Sequence, residues 1–286
     1  MSIQFKNVNY IYSPNTPYRT VALQDVSFTI EDGAFIGCIG HTGSGKSTLM
    51  QLMNGLLKPT AGEIIVDGVT ISEPKVKLAD LRKRVGLVFQ YPEYQLFEET
   101  IYDDVAYGPK NLDVSAEEVA ERVAYALAAV NINLDDAKVR SPFELSGGQK
   151  RRVAIAGVLA MKPRVLILDE PTAGLDPAGH KEILDLIKRE HKRQKRITIL
   201  VSHSMDDVAK YVDKILVLDK GQLVYFDSPG QIFGQRDNLA KMGLDVPTTT
   251  KIIAQLHARG IAIDSTIFDV EQLSQALLQH LRKQHD

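Results

Sequence analysis

The chain has 286 residues, 44% of them hydrophobic and 24% charged, and 34 basic residues nearly balance 36 acidic ones for a formal net charge of −2. That composition fits a globular protein of one large or two ordinary domains and excludes a chain that is basic enough overall to be built for a polyanion. The single cysteine, Cys38, excludes an internal disulfide, and the apolar run VAIAGVLAM falls well short of the roughly 20 residues of a membrane span.

The opening MSIQFKNVNY has no cleavable apolar core, so no secretion signal is expected. Residues 3–10 and 21–30 alternate polar and apolar side chains with period two, which predicts half-exposed antiparallel strands. AFIGCIG predicts a buried strand in which the Cys38 thiol is a packing group, and it runs into a glycine turn. KSTLMQLMNGLL follows as helix, EIIVDGVTI as strand and VGLVFQ as a further short strand. Ser115 and Glu118 predict a capping box ahead of Val119, Val123, Leu127 and Val130, which share one helical face.

SGGQKRRVAIAGVLAMKP reads as helix, RVLILDE as an apolar strand, AGHKEILDLIKREHKR as helix and ITILVSH as strand. Apolar strands alternating with helices predict an α/β architecture with a mostly parallel sheet covered on both faces. DKILVLDKGQLVYFD predicts a hairpin turning at Lys220–Gly221. Beyond about Ser228 the chain predicts short helices, one of them carrying Val270, Leu273, Leu277 and Leu281 on a single face.

Gly40-His41-Thr42-Gly43-Ser44-Gly45-Lys46-Ser47, with Thr48 next, matches G-x-x-x-x-G-K-[ST] between a strand and a helix. Such glycines let backbone N–H groups converge on phosphate oxygens at the positive end of a helix. Lys46 is then placed to reach the terminal phosphates, and Ser47 to ligate Mg²⁺. RVLILDE ends in Asp169, a candidate for the Mg²⁺ shell, and Glu170, a candidate to orient or deprotonate an attacking water. Leu145-Ser146-Gly147-Gly148-Gln149 opens another helix and supplies a second, separate phosphate-binding terminus.

With these three motifs the sequence resembles the ATP-binding-cassette (ABC) ATPases over residues 1 to about 230. The resemblance implies a P-loop ATPase fold over residues 1–228. That fold has a mostly parallel sheet, an antiparallel β subdomain and a helical subdomain at about 91–160. Residues 229–286 would form a C-terminal helical region suited to dimerisation. It also implies ATP and Mg²⁺ as cofactors, and two cassettes that pair head to tail. LSGGQ of one cassette then closes on ATP held by the P-loop of the other. By the same resemblance, Gln90 senses Mg²⁺ and the attacking water, Ala173-Gly174-Leu175-Asp176 is the loop across the dimer interface, and His203 is the switch histidine at the γ-phosphate. An aromatic of the first strand region stacks on adenine; Tyr12 fits, with Tyr10 and Tyr18 as competitors.

FQYPEYQLFEET, residues 89–100, carries too many acids and a proline for a buried strand and too much aromatic surface for a solvated loop. In ABC transporters this region receives a coupling helix from the membrane subunit. Tyr91, Pro92, Glu93, Tyr94, Gln95, Leu96 and Phe97 are therefore the expected docking residues, and the acids at the edge can pair with basic residues of that helix. The wording QYPEYQLFEETIYDDVAYGPKN is similar to ATPases of energy-coupling-factor (ECF) transporters, in particular the second of their two paired ATPases. That resemblance implies an importer of vitamins or metal ions at the cytoplasmic face of the membrane. Its expected partners are a second homologous ATPase, an integral membrane coupling subunit and a substrate-binding membrane subunit, with no nucleic acid. The alternatives are an ATPase of another importer, or a nucleic-acid-acting ABC protein. Against the latter stand the short span from Ser47 to Leu145, the single cassette and the balanced charge of residues 235–286. Every catalytic motif is present in one chain, so the sequence also permits a homodimer.

Overall fold

The structure is a computed structural model that describes residues 2–73, 76 and 78–283. Its centre is a six-stranded sheet in the order β10-β9-β3-β8-β7-β6. The strands are β3 (Phe35–Ile39), β6 (Val85–Val88), β7 (Val165–Asp169), β8 (Ile197–Val201), β9 (Lys214–Asp219) and β10 (Gln222–Asp227). All neighbours are parallel except β10, which turns back on β9 through Lys220 and Gly221, both at positive φ. A second, antiparallel sheet has the order β2-β1-β4-β5, from β1 (Ile3–Tyr12), β2 (Thr20–Ile30), β4 (Ala61–Val66) and β5 (Val69–Thr70).

The parallel strands are apolar throughout because both faces are buried. Leu166 and Leu168 of β7 enter one core with α3 (Ile101–Lys110), α4 (Ala116–Ala129), α6 (Gly147–Ala160), α7 (Pro177–Gln194) and α8 (Met205–Tyr211). Val165 and Ile167 of the same strand enter the other, with the antiparallel sheet and α1 (Lys46–Met53). A strand that feeds two cores has no polar face to alternate with.

Four local readings of the sequence are corrected. EIIVDGVTI is a hairpin rather than one strand: Asp67 and Gly68 both take left-handed φ, the Asp-Gly two-residue turn, and separate β4 from β5. Helix α1 stops at Met53, because Gly55 at φ +71 terminates it. At α4 the capping box is half made: Ser115 accepts from Glu118 N, but the Glu118 carboxylate accepts from Arg122 Nε at 2.9 Å instead of closing back. The Val119–Val130 face is buried as expected. The alternation of β1 and β2 also slips by one residue at Asn7 and Asp25, which face each other as bulges at φ +50.

The remaining helices are α2 (Leu78–Arg84), α5 (Leu134–Val139) and, after β10, α9 (Pro229–Phe233), α10 (Arg236–Lys241), α11 (Thr248–Ala258) and α12 (Val270–Lys283). The chain after Asp227 continues the packing of what precedes it. Ile232, Phe233, Leu239 and Leu244 are buried in the same core as β7 and α6. On α12 the predicted stripe is buried at Leu273 and half-buried at Leu277; Val270 and Leu281 remain exposed.

Candidate functional site

Four loops leave the C-terminal edges of adjacent strands β3, β8, β7 and β6, where ligands of open parallel sheets bind. The loop from β3 runs Gly40 to Gly45 and ends in α1, whose N-cap Gly45 has no capping side chain, so the first N–H groups point outward. Gly45 is held at φ +104 against β2, where a Cβ would meet Ala22 O at 2.6 Å. Gly43, at φ +81, faces open space.

Lys46 is buried and its Nζ donates to Gly40 O at 2.6 Å and His41 O at 3.0 Å, which lays its charge across the mouth of the loop. Ser47 Oγ donates to Asp169 Oδ2 at 3.3 Å. Glu170 takes φ +50, a strained backbone anchored by Glu170 N donating to Val201 O at 3.1 Å. Its buried Oε1 lies 3.4 Å from His203 Nε2, out of hydrogen-bonding line, and makes no hydrogen bond to any described residue.

Burial sets the proton affinities here. It pushes the Glu170 carboxyl up to about 7 and raises Asp169 despite the Ser47 hydrogen bond. Burial, reinforced by the Lys46 charge, lowers His203 and favours its neutral imidazole.

One cleft of ≈ 460 Å³ is lined by Tyr12, Thr42, Gly43, Gly45, Lys46, Ser47, Thr48, Gln90, Asp169, Glu170 and His203. Tyr12 OH lies 3.1 Å from Thr48 Oγ1, which fixes the ring beside α1. Of its competitors, Tyr10 packs against the core and Tyr18 is 83% exposed outside the cleft. Gly40, His41 and Ser44 shape the loop from behind: Ser44 is fully buried, and His41 Nε2 turns away to Asp219 Oδ1 at 3.0 Å. Thr20, Val21 and Ala22 complete the wall, and nothing in their sequence marked them.

The residues of the LSGGQ signature, Leu145–Gln149, lie elsewhere. A second cleft of ≈ 450 Å³ is lined by Ser146, Gly147, Gly148, Gln149, Gly174, Leu175 and Asp176, with Glu93 and Arg151. Ser146 and Gln149 form a complete capping box on α6, and Asp176 caps α7 by accepting from Gly179 N at 2.9 Å. Leu145 is buried beneath this terminus, and Ala173 N donates to Glu170 O, which ties the loop to the first cleft.

The 89–100 stretch divides. Tyr91, Tyr94, Gln95 and Phe97 are exposed, Tyr94 by 84%, while Pro92 is buried and Leu96 half-buried on the core. Phe97 packs edge-on against Tyr107 at 4.9 Å, extending the aromatic face onto α3. Glu93 turns inward to Arg151, so the sequence-based expectation that it pairs with a basic partner helix is corrected; Glu99 is the acid left exposed.

The donors present fit a nucleotide with its metal. Among the described residues no cluster of three His, Cys, Asp or Glu could hold a metal alone. Ser47 Oγ and Asp169 are hard oxygen donors beside a loop of outward N–H groups, and Mg²⁺ is commonly held by one or two protein oxygens plus phosphates. A glycine loop at a helix N-terminus left uncapped by any side chain, above the carboxyl edge of a parallel sheet and next to an acidic pair, defines the class: a P-loop nucleotide-binding protein of α/β type.

The comparisons narrow that class. The ABC transporter family model matches residues 23–173. The protein of Caldanaerobacter subterraneus subsp. tengcongensis named Energy-coupling factor transporter ATP-binding protein EcfA2 is 54% identical over 282 residues, covering 99% of this chain and 98% of that protein. The solved cbiO1 of Clostridium perfringens, described as part of the ABC transporter complex cbiONQ, has a TM-score of 0.73 and 39% identity over 84% of this chain and 93% of that one. The ATP-binding cassette MJ0796, solved as a dimer in a post-hydrolysis state with ADP and Pi, has a TM-score of 0.69 and 28% identity over 79% of this chain and 98% of that one. This chain belongs to the ABC transporter family as an ATP-binding subunit, an ATPase coupled to transport.

Proposed function

We propose that this chain is the motor subunit of an energy-coupling-factor importer, paired with a second, homologous ATPase on an integral membrane coupling subunit. A separate substrate-binding membrane protein would select the cargo, a vitamin or another micronutrient such as a cobalt or nickel ion. The subunit would sit peripherally at the cytoplasmic face, and no described helix is long and apolar enough to cross a membrane. The single observation that carries this reading is the separation of the two clefts. One chain holds a complete P-loop side and a complete signature side on different surfaces, which is what head-to-tail pairing requires.

In this reading Tyr12 stacks on adenine, and the loop N–H groups and Lys46 hold the phosphates. Ser47, Asp169 and Gln90 hold Mg²⁺, which when bound neutralises phosphate charge. Glu170, with its proton affinity near neutrality and an Oε1 that makes no hydrogen bond to the described residues, orients water and accepts its proton. His203 contributes a neutral imidazole at the terminal phosphate. The N-terminus of α6 with Ser146, Gly147 and Gly148 faces ATP on the partner, and Ala173–Asp176 crosses the interface. Tyr91, Tyr94, Gln95 and Phe97 receive the coupling helix; Pro92 and Leu96 support them from below.

Purification of the chain from its native membrane tests this directly. Co-purification of a second ATPase and two kinds of membrane protein is expected; co-purification of nucleic acid or ribosomes with no membrane protein would overturn it.

A further inference from the structure

Arg151 sits on α6 two residues after the signature glutamine, and its side chain is only 2% exposed. A buried guanidinium needs every N–H satisfied, and the partners it uses come from two distant segments. Nε donates to Glu93 Oε2 at 3.0 Å and Nη2 to Glu93 Oε1 at 2.6 Å, a two-point fork on the turn after Gln90. Nη1 donates to Pro171 O at 3.3 Å and to Ala173 O, both on the short segment between Glu170 and the Gly174–Asp176 loop. The guanidinium also lies 5.8 Å from the centre of the Tyr91 ring. Glu93 and Arg151 together line the cleft that carries Ser146–Gln149 and Gly174–Asp176.

We propose that Arg151 is a positioning residue for the ATPase reaction, joining the Tyr91–Gln95 turn, the signature helix and the 171–176 loop into one rigid unit. The proposal rests on the composite-site reading given above. Its logic is geometric. The fork fixes both the distance and the plane of Glu93, so a load on the exposed Tyr91 and Tyr94 is carried into α6 rather than absorbed in the turn. The two carbonyl contacts carry the same displacement to the backbone next to Glu170. A lysine could hold one of these partners but not the planar set of three.

The test uses full-length chain assembled with its paired ATPase, with and without the membrane subunits. Arg151→Lys keeps the charge and removes the fork, and Glu93→Gln keeps the shape and removes the carboxylate. Turnover, KM for ATP, affinity for a fluorescent ATP analogue and thermal melting are measured for both variants and their combination. Expected is a fall in kcat of about 10- to 100-fold with KM and analogue affinity unchanged, since small misplacements remote from the chemistry cost rate rather than binding. The combined variant should be no worse than the poorer single one, as for residues in one contact. Wild-type kcat in both single variants, a rise in KM that accounts for the loss, or strict additivity would overturn the proposal. Should Arg151→Lys fail to fold, Glu93→Gln, on the more exposed partner, decides the matter alone.

The docking reading fails on a separate observation. Complexes carrying Tyr94→Ser and Phe97→Ser would then assemble and transport as wild type. The ATPase pair without membrane subunits still reads the effect of Arg151 in that case.

Discussion

The cleft above the sheet gathers Lys46, Asp169, Glu170 and His203, and burial shifts the proton affinities of Asp169, Glu170 and His203. The cleft at the start of α6 presents backbone N–H groups and glycines, and its charges are spent within the chain. Arg151 holds Glu93, Arg152 Nη1 holds Glu182 at 2.8 Å, and Asp176 caps α7. The first cleft therefore owns reactive groups, and the second owns a glycine-lined helix terminus without them. On the reading proposed above each is half of an ATPase site, and the two halves should respond differently to substitution.

The largest effect is expected in the first half. Glu170→Gln should lower turnover of the assembled complex by about 10²- to 10⁴-fold, the range of a lost general base, and leave ATP binding intact. Lys46→Ala should instead weaken nucleotide binding itself. Near-normal hydrolysis by Glu170→Gln would break the assignment of chemistry to this cleft.

In the second half, Gly147→Arg is the sharper tool, because a Cβ there meets nothing within 4 Å and the Ser146 cap stays in place. It should reduce turnover of the pair by roughly 10²-fold, comparable with losing a transition-state donor, with no change in ATP binding to this chain. A matching loss of this chain's own ATP affinity would show that the two clefts are not independent.

Smaller effects sharpen the edges of the comparison. Tyr12→Ala should weaken ATP binding about tenfold, from the usual value of aromatic stacking on a base, and Tyr18→Ala should not. Deleting residues 270–286 should lower nucleotide-free association with the paired ATPase about threefold to tenfold, as expected for exposed apolar groups such as Val270 and Leu281 leaving an interface. A cut at residue 228 cannot serve for this, because Ile232, Phe233, Leu239 and Leu244 belong to the main core.

Much of this was legible in the sequence where chemistry restricts the backbone. The phosphate loop must be glycine-rich and must open a helix, so Gly40–Ser47 announced both its fold and its place. The acid pair announced itself by ending an apolar strand. Arg151 did not, because its meaning depends on Glu93, Pro171 and Ala173, which approach only after folding. The same holds for Glu93: in sequence it is an acid among aromatics, and in the fold it is an internal counter-ion. The Asp67–Gly68 turn is written in its dipeptide, but the apolar residues on both sides give it the look of one continuous strand. The C-terminal helices looked separate because their polar spacing conceals the four side chains that plug the core.

The central claim is that neither cleft hydrolyses ATP without its complement from another subunit. Turnover per molecule, measured for the isolated chain at decreasing concentration with its mass followed by light scattering, tests this most directly. At dilutions where the mass is that of the 31.7 kDa monomer, the account predicts that turnover per molecule falls toward background and recovers, saturably, when the paired ATPase is added. Turnover per molecule that stays constant in the monomer and is indifferent to the paired subunit would contradict it.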